Sequence, residues 1–369
     1  MKVSVPTKVL NDLISRTEKI TSKKSALPIL SNIYFQISGS ELLIRATNLE
    51  IGIEGVITVE HEAGDAQESS FALSASLVKN FLQQVRSSKK ITLEIADGNV
   101  VFYSDMAEAT IATVSAEEFP TLPEVGDDSE VSSLKLSAEE FINGVAAVWY
   151  ASATSTMKPE LSSVYIHTHN NELFFVATDT FRLAEKVVSS DKVPDNVSLL
   201  IPQLNAQELT KVIRDDEELN IEFDQNLLQI SQKNLRITAR VVDGSFPDYR
   251  QIIPSEYTTE ATVLFYDMEN ALKLSSVFAD RYHQVTMEFN DDSVVINSKG
   301  TEAGKSKAVI KASVDGESVS TRFNQRYLSE PLSSLRGDNL IMRLSPNKPM
   351  MLSNPSDNTF RYLVMPMHQ

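Results

Sequence analysis

Apolar residues recur along this chain in two periods, and the order in which the periods alternate is itself repeated. Met1 to Val5 alternates apolar and polar positions, the two-residue period of a half-buried strand. Thr7 to Ile20 then sets Val9, Leu10, Leu13, Ile14 and Thr17 on one face, the helical period, with Thr7 at the N-cap. Lys8, Arg16 and Lys19 fall outside that stripe. Alternation returns at Ile33 to Ile37, Leu42 to Thr47 and Ile51 to Val59, with Gly39-Ser40 marking a hairpin turn. Phe71 to Leu73 leads into a second helix, capped by Ser74 or Ser76 and carrying Leu77, Val78, Phe81, Leu82 and Val85. Three more strands follow, Asp97-Gly98 turning between the first two, and the unit closes at Phe119-Pro120.

The same order then restarts. Pro123 to Val131 is acidic and turn-rich and reads as a linker. Ser137 and Glu140 form a capping box that opens a helix with Phe141, Val145 and Val148 inward. Strands, a helix over Gln203 to Arg214 and further strands lead to Phe246-Pro247. A third round has a helix capped by Asp267, strands, a second helix over Asn324 to Leu335, and a close at Met365-Pro366. Residue identities support the repeat. Leu30 to Asn48 and Leu161 to Ala184 align without a gap, matching Leu30 with Leu161, Tyr34 with Tyr165, Leu42 with Leu173, and Thr47 with Thr178. The fold class is α+β: three tandem copies of one unit, 1–124, 125–255 and 256–369, with helices on one face of antiparallel sheets. Too few residues separate most strands for parallel crossovers.

Composition narrows the class. A chain of 369 residues exceeds one ordinary core. It has no apolar run that spans a bilayer, and its first residues lack the apolar core of a leader, so a cytoplasmic location is expected. Cysteine is absent, which excludes disulfides, thiolate metal sites and a cysteine nucleophile. The net charge of −16 opposes wrapping of nucleic acid unless basic residues are segregated. Lys8, Arg16, Lys19, Lys23 and Lys24 belong to the first helix and its exit, and Lys79, Arg86, Lys89 and Lys90 to the second, which fits either a scatter of solvated charges or a segregated positive helix face. Acids crowd strands and loops instead, as at Glu60, Glu62, Glu117 and Glu118. A basic helix face inside an acidic shell would hold a polyanion without reading bases.

Catalytic signals are weak. Gly300 to Ser306 is one residue short of a phosphate loop and precedes a strand-like run, so it reads as a polar hairpin loop. His167 and His169 share a strand face, but Glu172 is the one further ligand nearby and cysteine is absent, which favours a solvated strand face over a metal site. No cofactor or metal is expected. The tail Leu363 to Met367 is apolar and suits either a last strand or an adaptable groove for a partner peptide.

These residues resemble a known family. Leu27-Pro28-Ile29-Leu30-Ser31-Asn32, Ala177-Thr178-Asp179 with Arg182-Leu183-Ala184, Phe246-Pro247-Asp248-Tyr249-Arg250 and the ending Tyr362 to Met367 are similar to the bacterial DNA polymerase III beta subunit, the DNA sliding clamp family. The resemblance spans the whole chain. It implies a ring of two chains joined head to tail around duplex DNA, helices lining the hole, and no catalysis. It implies DNA contacts at Lys24, Lys79, Arg86 and Lys158. Partners implied are DNA, a second copy of the chain, and the clamp-binding peptides of the polymerase, clamp loader and repair proteins. The peptide pocket implied comprises Leu161, Thr178, Thr180, Phe181, Arg182, Leu183, Pro247, Gln251, Ile252, Tyr282, Asn324, Tyr327, Leu363, Val364, Met365, Pro366 and Met367. Ile111 and Val277 mark the implied dimer interface. Two departures bear on the pocket rim: Thr180-Phe181 stand where many members have Gly or Ser then His, and the chain ends His368-Gln369 rather than on a basic and an apolar residue. A protein scaffold of the same units that does not act on DNA is the competing reading, and a nucleotide enzyme at Gly300 to Ser306 a third.

Overall fold

A computed structural model describes residues 1–22, 26–61, 68–126, 131–189, 194, 196–214, 218–300 and 304–367. Lys23, Lys24, part of the acidic linker and His368-Gln369 lie outside the described residues. The first copy runs β1 (Lys2–Pro6), α1 (Thr7–Ile20), β2 (Asn32–Ser38), β3 (Glu41–Thr47), β4 (Ile51–Thr58), β5 (Glu60–His61), β6 (Ser69–Ser74), α2 (Ala75–Gln84), β7 (Lys90–Ala96), β8 (Asn99–Tyr103) and β9 (Glu108–Ala112). The second runs β10 (Ser132–Ser137), α3 (Ala138–Val148), β11 (Ser163–His169), β12 (Glu172–Thr178), β13 (Arg182–Ser189), β14 (Ser198–Pro202), α4 (Gln203–Val212), β15 (Glu218–Phe223), β16 (Leu227–Gln232) and β17 (Leu235–Arg240). The third runs β18 (Thr259–Leu264), α5 (Phe265–Val277), β19 (Gln284–Asn290), β20 (Ser293–Gly300), β21 (Gly304–Gly316), β22 (Val319–Asn324), α6 (Gln325–Ser329), β23 (Asn339–Leu344), β24 (Met350–Asn354) and β25 (Asp357–Val364).

Strand pairing follows one rule in all three copies, always antiparallel. In the first copy β6-β2-β3-β4 and β1-β7-β8-β9 are ladders; β14-β11-β12-β13 and β10-β15-β16-β17 repeat them, as do β22-β19-β20-β21 and β18-β23-β24-β25. Copies are then joined edge to edge. The last strand of the second copy, β17, pairs with β4 of the first, and the last strand of the third, β25, pairs with β13 of the second. This joining merges sheets, so packing divides the chain into two bodies whose limits cut through the middle copy. Met1–Ile142 with Gln207–Val241 holds the sheets β5-β1-β7-β8-β9 and β10-β15-β16-β17-β4-β3-β2-β6. Asn143–Ala206 with Val242–Gln369 holds a twelve-stranded sheet.

Helices pack on these sheets because each has one apolar stripe. α1 lies against β3, β4 and α2, burying Leu10, Leu13, Ile14 and Ile20, while α5 lies against β20 and β21 through Met268 and Leu272. Phe141, Val145 and Val148 of the middle copy are buried as the helical period predicts. Its opening capping box is formed: Glu140 Oε2 accepts from the Ser137 backbone N–H at 2.9 Å, and Ser137 Oγ accepts from the Glu140 N–H at 3.1 Å.

Several local expectations are corrected. Thr7 is the first helical residue rather than the cap; Pro6 holds the N-cap and Thr7 is buried. Asp267 sits in the first turn of a helix that starts at Phe265. Val9, placed on the inner stripe, is 48% exposed, and Arg16, placed outside it, is 6% exposed, with its guanidinium 3.4 Å from Asp12. The expected helix over Asn324 to Leu335 stops at Ser329 and continues as the 3-10 turn Glu330–Ser333, because Pro331 has no N–H to donate. Gly300 to Ser306 does span a hairpin: Gly300 pairs with Gly304, and a strand follows where a phosphate loop needs a helix.

His167 is the largest correction. It is not on a solvated face but buried in an aromatic stack, with ring centroids 4.7 Å from Tyr165 and 5.1 Å from Phe174, and Nε2 3.0 Å from the Tyr249 hydroxyl. Burial pushes its pKa down to about 4, with Arg250 and His169 adding to the fall and a Thr168 carbonyl opposing it. The unfolded chain therefore binds a proton that the folded chain refuses, and stability from this site is lost as pH falls from the ordinary value of 6.5 toward 4. Replacing His167 by Phe keeps the stack and removes the proton. Thermal scans should show a smaller loss of Tm between pH 7 and pH 5 in the variant; an equal loss would assign the acid sensitivity elsewhere.

Candidate functional site

One turn, built twice, organises the site. Thr178 Oγ1 donates to the Arg182 carbonyl at 2.6 Å and accepts from the Thr180 N–H at 3.1 Å. Asp179 Oδ1 accepts from the Phe181 and Arg182 N–H groups at 2.9 and 3.0 Å. The first copy repeats every bond. Thr47 Oγ1 donates to the Ile51 carbonyl and accepts from the Leu49 N–H, while Asn48 Oδ1 accepts from the Glu50 and Ile51 N–H groups. Thr–Asx is the short polar pair that can satisfy such a turn from its own side chains. The third turn residue has a left-handed backbone in both, φ +75° at Leu49 and +76° at Thr180. A β-branched residue is strained there. Thr180→Gly is expected to raise stability by about 1 kcal/mol, read from the urea midpoint, because glycine adopts that φ freely. No rise would mean the turn bonds already offset the strain.

The two turns differ in what surrounds them. In the second copy the turn rests on a buried cation. Arg182 Nε lies 2.9 Å from Asp179 Oδ2, its other nitrogens reach Glu330 and the Tyr150 carbonyl, and its guanidinium sits 4.3 Å from the Tyr327 ring centre. Burial alone would lower the Arg182 pKa; Tyr362, Glu330 and Asp179 outweigh it and hold the group above its ordinary value. At that place in the first copy stands Ile51, an apolar strand residue.

Above the cation lies an open cleft of about 410 Å³, lined by Thr180, Phe181, Asn324, Tyr327, Met365, Pro366 and Met367. The tail that forms one wall is pinned by backbone bonds on two sides. The Met365 N–H donates to the Phe181 carbonyl and the Met367 N–H to the Arg322 carbonyl, both at 2.8 Å. Asn324 caps α6, accepting from the Arg326 N–H at 2.9 Å. Phe181 stands 61% exposed at the rim, so an apolar ring offered to water marks the mouth. The cleft is mostly apolar with a few fixed polar groups, the chemistry of a site for an apolar side chain or short peptide.

Of the other residues expected in this pocket, Leu161, Thr178, Leu183, Leu363 and Val364 are buried and form its backing rather than its surface. Arg182 is also buried, tied to the carboxylates beneath Tyr327. Pro247, Gln251, Ile252 and Tyr282 are exposed on the same body but do not line the cleft. The pattern did not point to Tyr150 and Glu330, because neither is near Arg182 in sequence.

Basic residues of the helices are arranged less simply than a bare stripe. Lys79 Nζ lies 2.6 Å from Glu18 Oε2, and Arg214 is 2.6 Å from Asp12. Lys19 donates to the Lys211 carbonyl, and its pKa is lowered by burial and then by Arg214, Lys79 and Arg16. That depression reflects burial first and crowded positive charge second. Arg86 and Lys158 are exposed and form no ion pair among the described residues. Ile111 turns into its own core at 6% exposure, whereas Val277 is 67% exposed at the end of α5. No His, Asp or Glu cluster among the described residues is built to hold a metal, and no described helix is long and apolar enough to cross a membrane.

Three copies of a two-helix unit on antiparallel sheets, with a peptide-sized cleft beside the final strand, define the clamp class. Profiles of the DNA polymerase III beta subunit match throughout: the N-terminal domain at residues 1–123, the central domain at 135–248 and the C-terminal domain at 250–368. The chain belongs to the DNA polymerase III beta subunit family. It is 27% identical over 366 residues to the beta sliding clamp of Streptococcus pneumoniae, covering 96% of each chain, and 24% identical over 351 residues to that of Haemophilus influenzae, covering 94% of each. The crystal structure of the Thermotoga maritima DNA polymerase III beta subunit shares the fold with a TM-score of 0.90 at 24% identity, covering 100% of this chain and 99% of that one.

Proposed function

We infer that this chain is a DNA sliding clamp, a non-catalytic processivity factor that encircles duplex DNA as a head-to-tail homodimer and docks partner peptides in the Phe181–Met365 cleft. The observation that carries the ring is the pairing rule. Each junction joins the end strand of one copy's second ladder to the end strand of the preceding copy's first ladder, β17 to β4 and β25 to β13. Among the described residues, two strands of those types keep one edge open, β9 along its length and β21 over its first part. β9 pairs only with β8, and Gly304 to Lys311 of β21 pair only with β20. A second chain offers each open edge the partner that the rule requires. Their charges are complementary, Glu108 on β9 facing Lys305, Lys307 and Lys311 on β21, and exposed Val277 and Val309 supply apolar area. Strand edges left open invite such addition.

Encirclement explains why modest basic contacts suffice: phosphate contacts of the Arg86, Lys79 and Lys158 kind are sequence-blind and let the duplex slide. The copies are taken as 1–124, 125–255 and 256–369, which the profile limits support, and a cytoplasmic site of action follows from chromosomal DNA as the ligand. Retention on DNA is the test. After loading, the protein should stay on closed circular duplex and leave once the circle is linearised, and its solution mass should be near twice 41.0 kDa. Equal loss from circular and linear DNA would overturn the clamp. Changing Lys79 and Arg86 together to Glu should reduce retention at low salt; no change would favour the scaffold reading.

A further inference from the structure

The three copies place a charge at the same point of each edge strand, and at one seam the signs are exchanged. Asn32, Ser163 and Gln284 each pair with the last residue before a helix, Ser74, Pro202 and Asn324. Two residues further on, and two strands across, the first ladders arrive at Glu54 on β4, Glu185 on β13 and Lys307 on β21. The second ladders are aligned in the same way. Four residues before α1, α3 and α5 stand Val3, Leu134 and Ala261, and three strands across from them lie Ala109, Ile237 and Tyr362. The residues just before these are Glu108 on β9, Arg236 on β17 and Arg361 on β25. Both internal seams bring the matched positions together. Arg236 is the partner of Glu54, with Nη2 3.1 Å from Oε1, and Arg361 is the partner of Glu185, with Nε 2.5 Å from Oε1. At the two open edges both signs are reversed: the first-ladder strand carries the base, Lys307, and the second-ladder strand the acid, Glu108.

The internal register, carried to the seam between chains, sets Glu108 opposite Lys307 and Met106 opposite Val309. Met106 and Val309 are 67% and 64% exposed in the single chain, so the same register also joins two apolar side chains that otherwise face water. Reversing both charges together leaves the attraction as it was, whereas reversing either alone would set like charges face to face. What changes is the choice of partner. All the seams share one backbone pattern, so hydrogen bonding alone would let β9 add to β4 or β13, and β21 to β17 or β25. Side chains refuse those pairings: Glu108 would meet Glu54 or Glu185, and Lys307 would meet Arg236 or Arg361. An exposed ion pair adds little to affinity, but like charges across an interface reject a wrong partner. We propose that Glu108 and Lys307 determine the specificity of the seam between chains, their reversed polarity admitting a second copy of this chain and excluding edges with the polarity of the internal seams. The proposal rests on the ring reading above.

Full-length chains with reversed charges provide the test. Lys307→Glu and Glu108→Lys proteins should each dimerise about 30-fold more weakly than wild type at low salt, because both seams of the ring then face like charges. Mixed together, the two should recover the wild-type dimer Kd, since acid meets base at both seams of the mixed ring. The mixture is also the folding control, because a chain that has merely misfolded is not rescued by its partner. A Glu108→Lys, Lys307→Glu double variant has the polarity of the internal seams. It should dimerise with itself yet be excluded from mixed dimers with differently tagged wild type, and that exclusion should fade at about 0.5 M salt. Single variants that dimerise like wild type overturn the proposal, as does a mixture no tighter than either variant alone or a double variant that mixes freely with wild type. A wild-type chain that stays monomeric at micromolar concentration removes the ring reading and this proposal with it; a wild-type dimer indifferent to these charges removes only the proposal.

Discussion

Replacing Arg182 by Ala is expected to destabilise the chain by about 3 kcal/mol and to abolish peptide binding at the cleft. The guanidinium is the shared partner of Asp179, Glu330 and the Tyr150 carbonyl, and the Tyr327 ring rests on it. Removing one member of a buried charge set leaves the others uncompensated, and that cost exceeds what the set contributes when complete. Asp179 bears most of it, since its side chain is 10% exposed whereas that of Glu330 is 40% exposed and regains water. The peptide effect follows from position. Tyr327 lines the cleft and loses its support, and the turn that presents Phe181 loses its anchor. Arg182→Lys is the informative control: it keeps the charge but lacks the planar fork that meets two carboxylates and a carbonyl at once. It should recover part of the stability and little of the binding. Urea midpoints at constant slope, with peptide Kd by anisotropy, separate the two effects. An Arg182→Ala protein that binds peptide normally would show that the cleft does not depend on the cation beneath it.

Val277→Asp should convert a dimer into a monomer without unfolding it. Val277 is 67% exposed in the single chain, so its replacement leaves the monomer within about 0.5 kcal/mol of its stability. At the proposed interface a carboxylate would be buried without a partner, and a hot-spot residue changed in this way weakens association by 2 kcal/mol or more, roughly 30-fold in Kd. Sedimentation at micromolar concentration should give a mass near 41.0 kDa, with retention on circular DNA lost in step. A dimer of unchanged affinity would move the interface away from the end of α5.

What could be read from the chain alone divides along physical lines. The three copies were legible because strand and helix periods are local, and because turns such as Thr178-Asp179 close with their own side chains. The cleft was legible in part: Phe181, Asn324 and Met365 to Met367 come together as expected, but residues such as Leu183 and Val364 are strand interior that supports the site from below. Features that depend on distant contacts were not legible. Nothing near Arg182 in sequence announces Glu330 or Tyr150. Arg16 has the look of a solvated helix charge and is instead covered, at 6% exposure. His167 reads as an exposed alternation residue, and only the fold brings Tyr165, Phe174 and Tyr249 around it. Of the lysines on the β20–β21 hairpin only Lys305 falls within the Gly300 to Ser306 stretch; the pairing of Lys299 with Lys305 is a property of register.

The pairing rule has a consequence for how DNA enters. Inside the chain, β4–β17 and β25–β13 are tethered, so a junction that opens re-forms as an intramolecular event, independent of protein concentration. The proposed junction between chains is of the same type but has no tether, so it would re-form only as fast as the two open edges find each other again. Gate and hinge are thus distinguished by connectivity rather than by chemistry. The assembly can be prised apart at one kind of seam while its other seams, made of the same strands, stay shut.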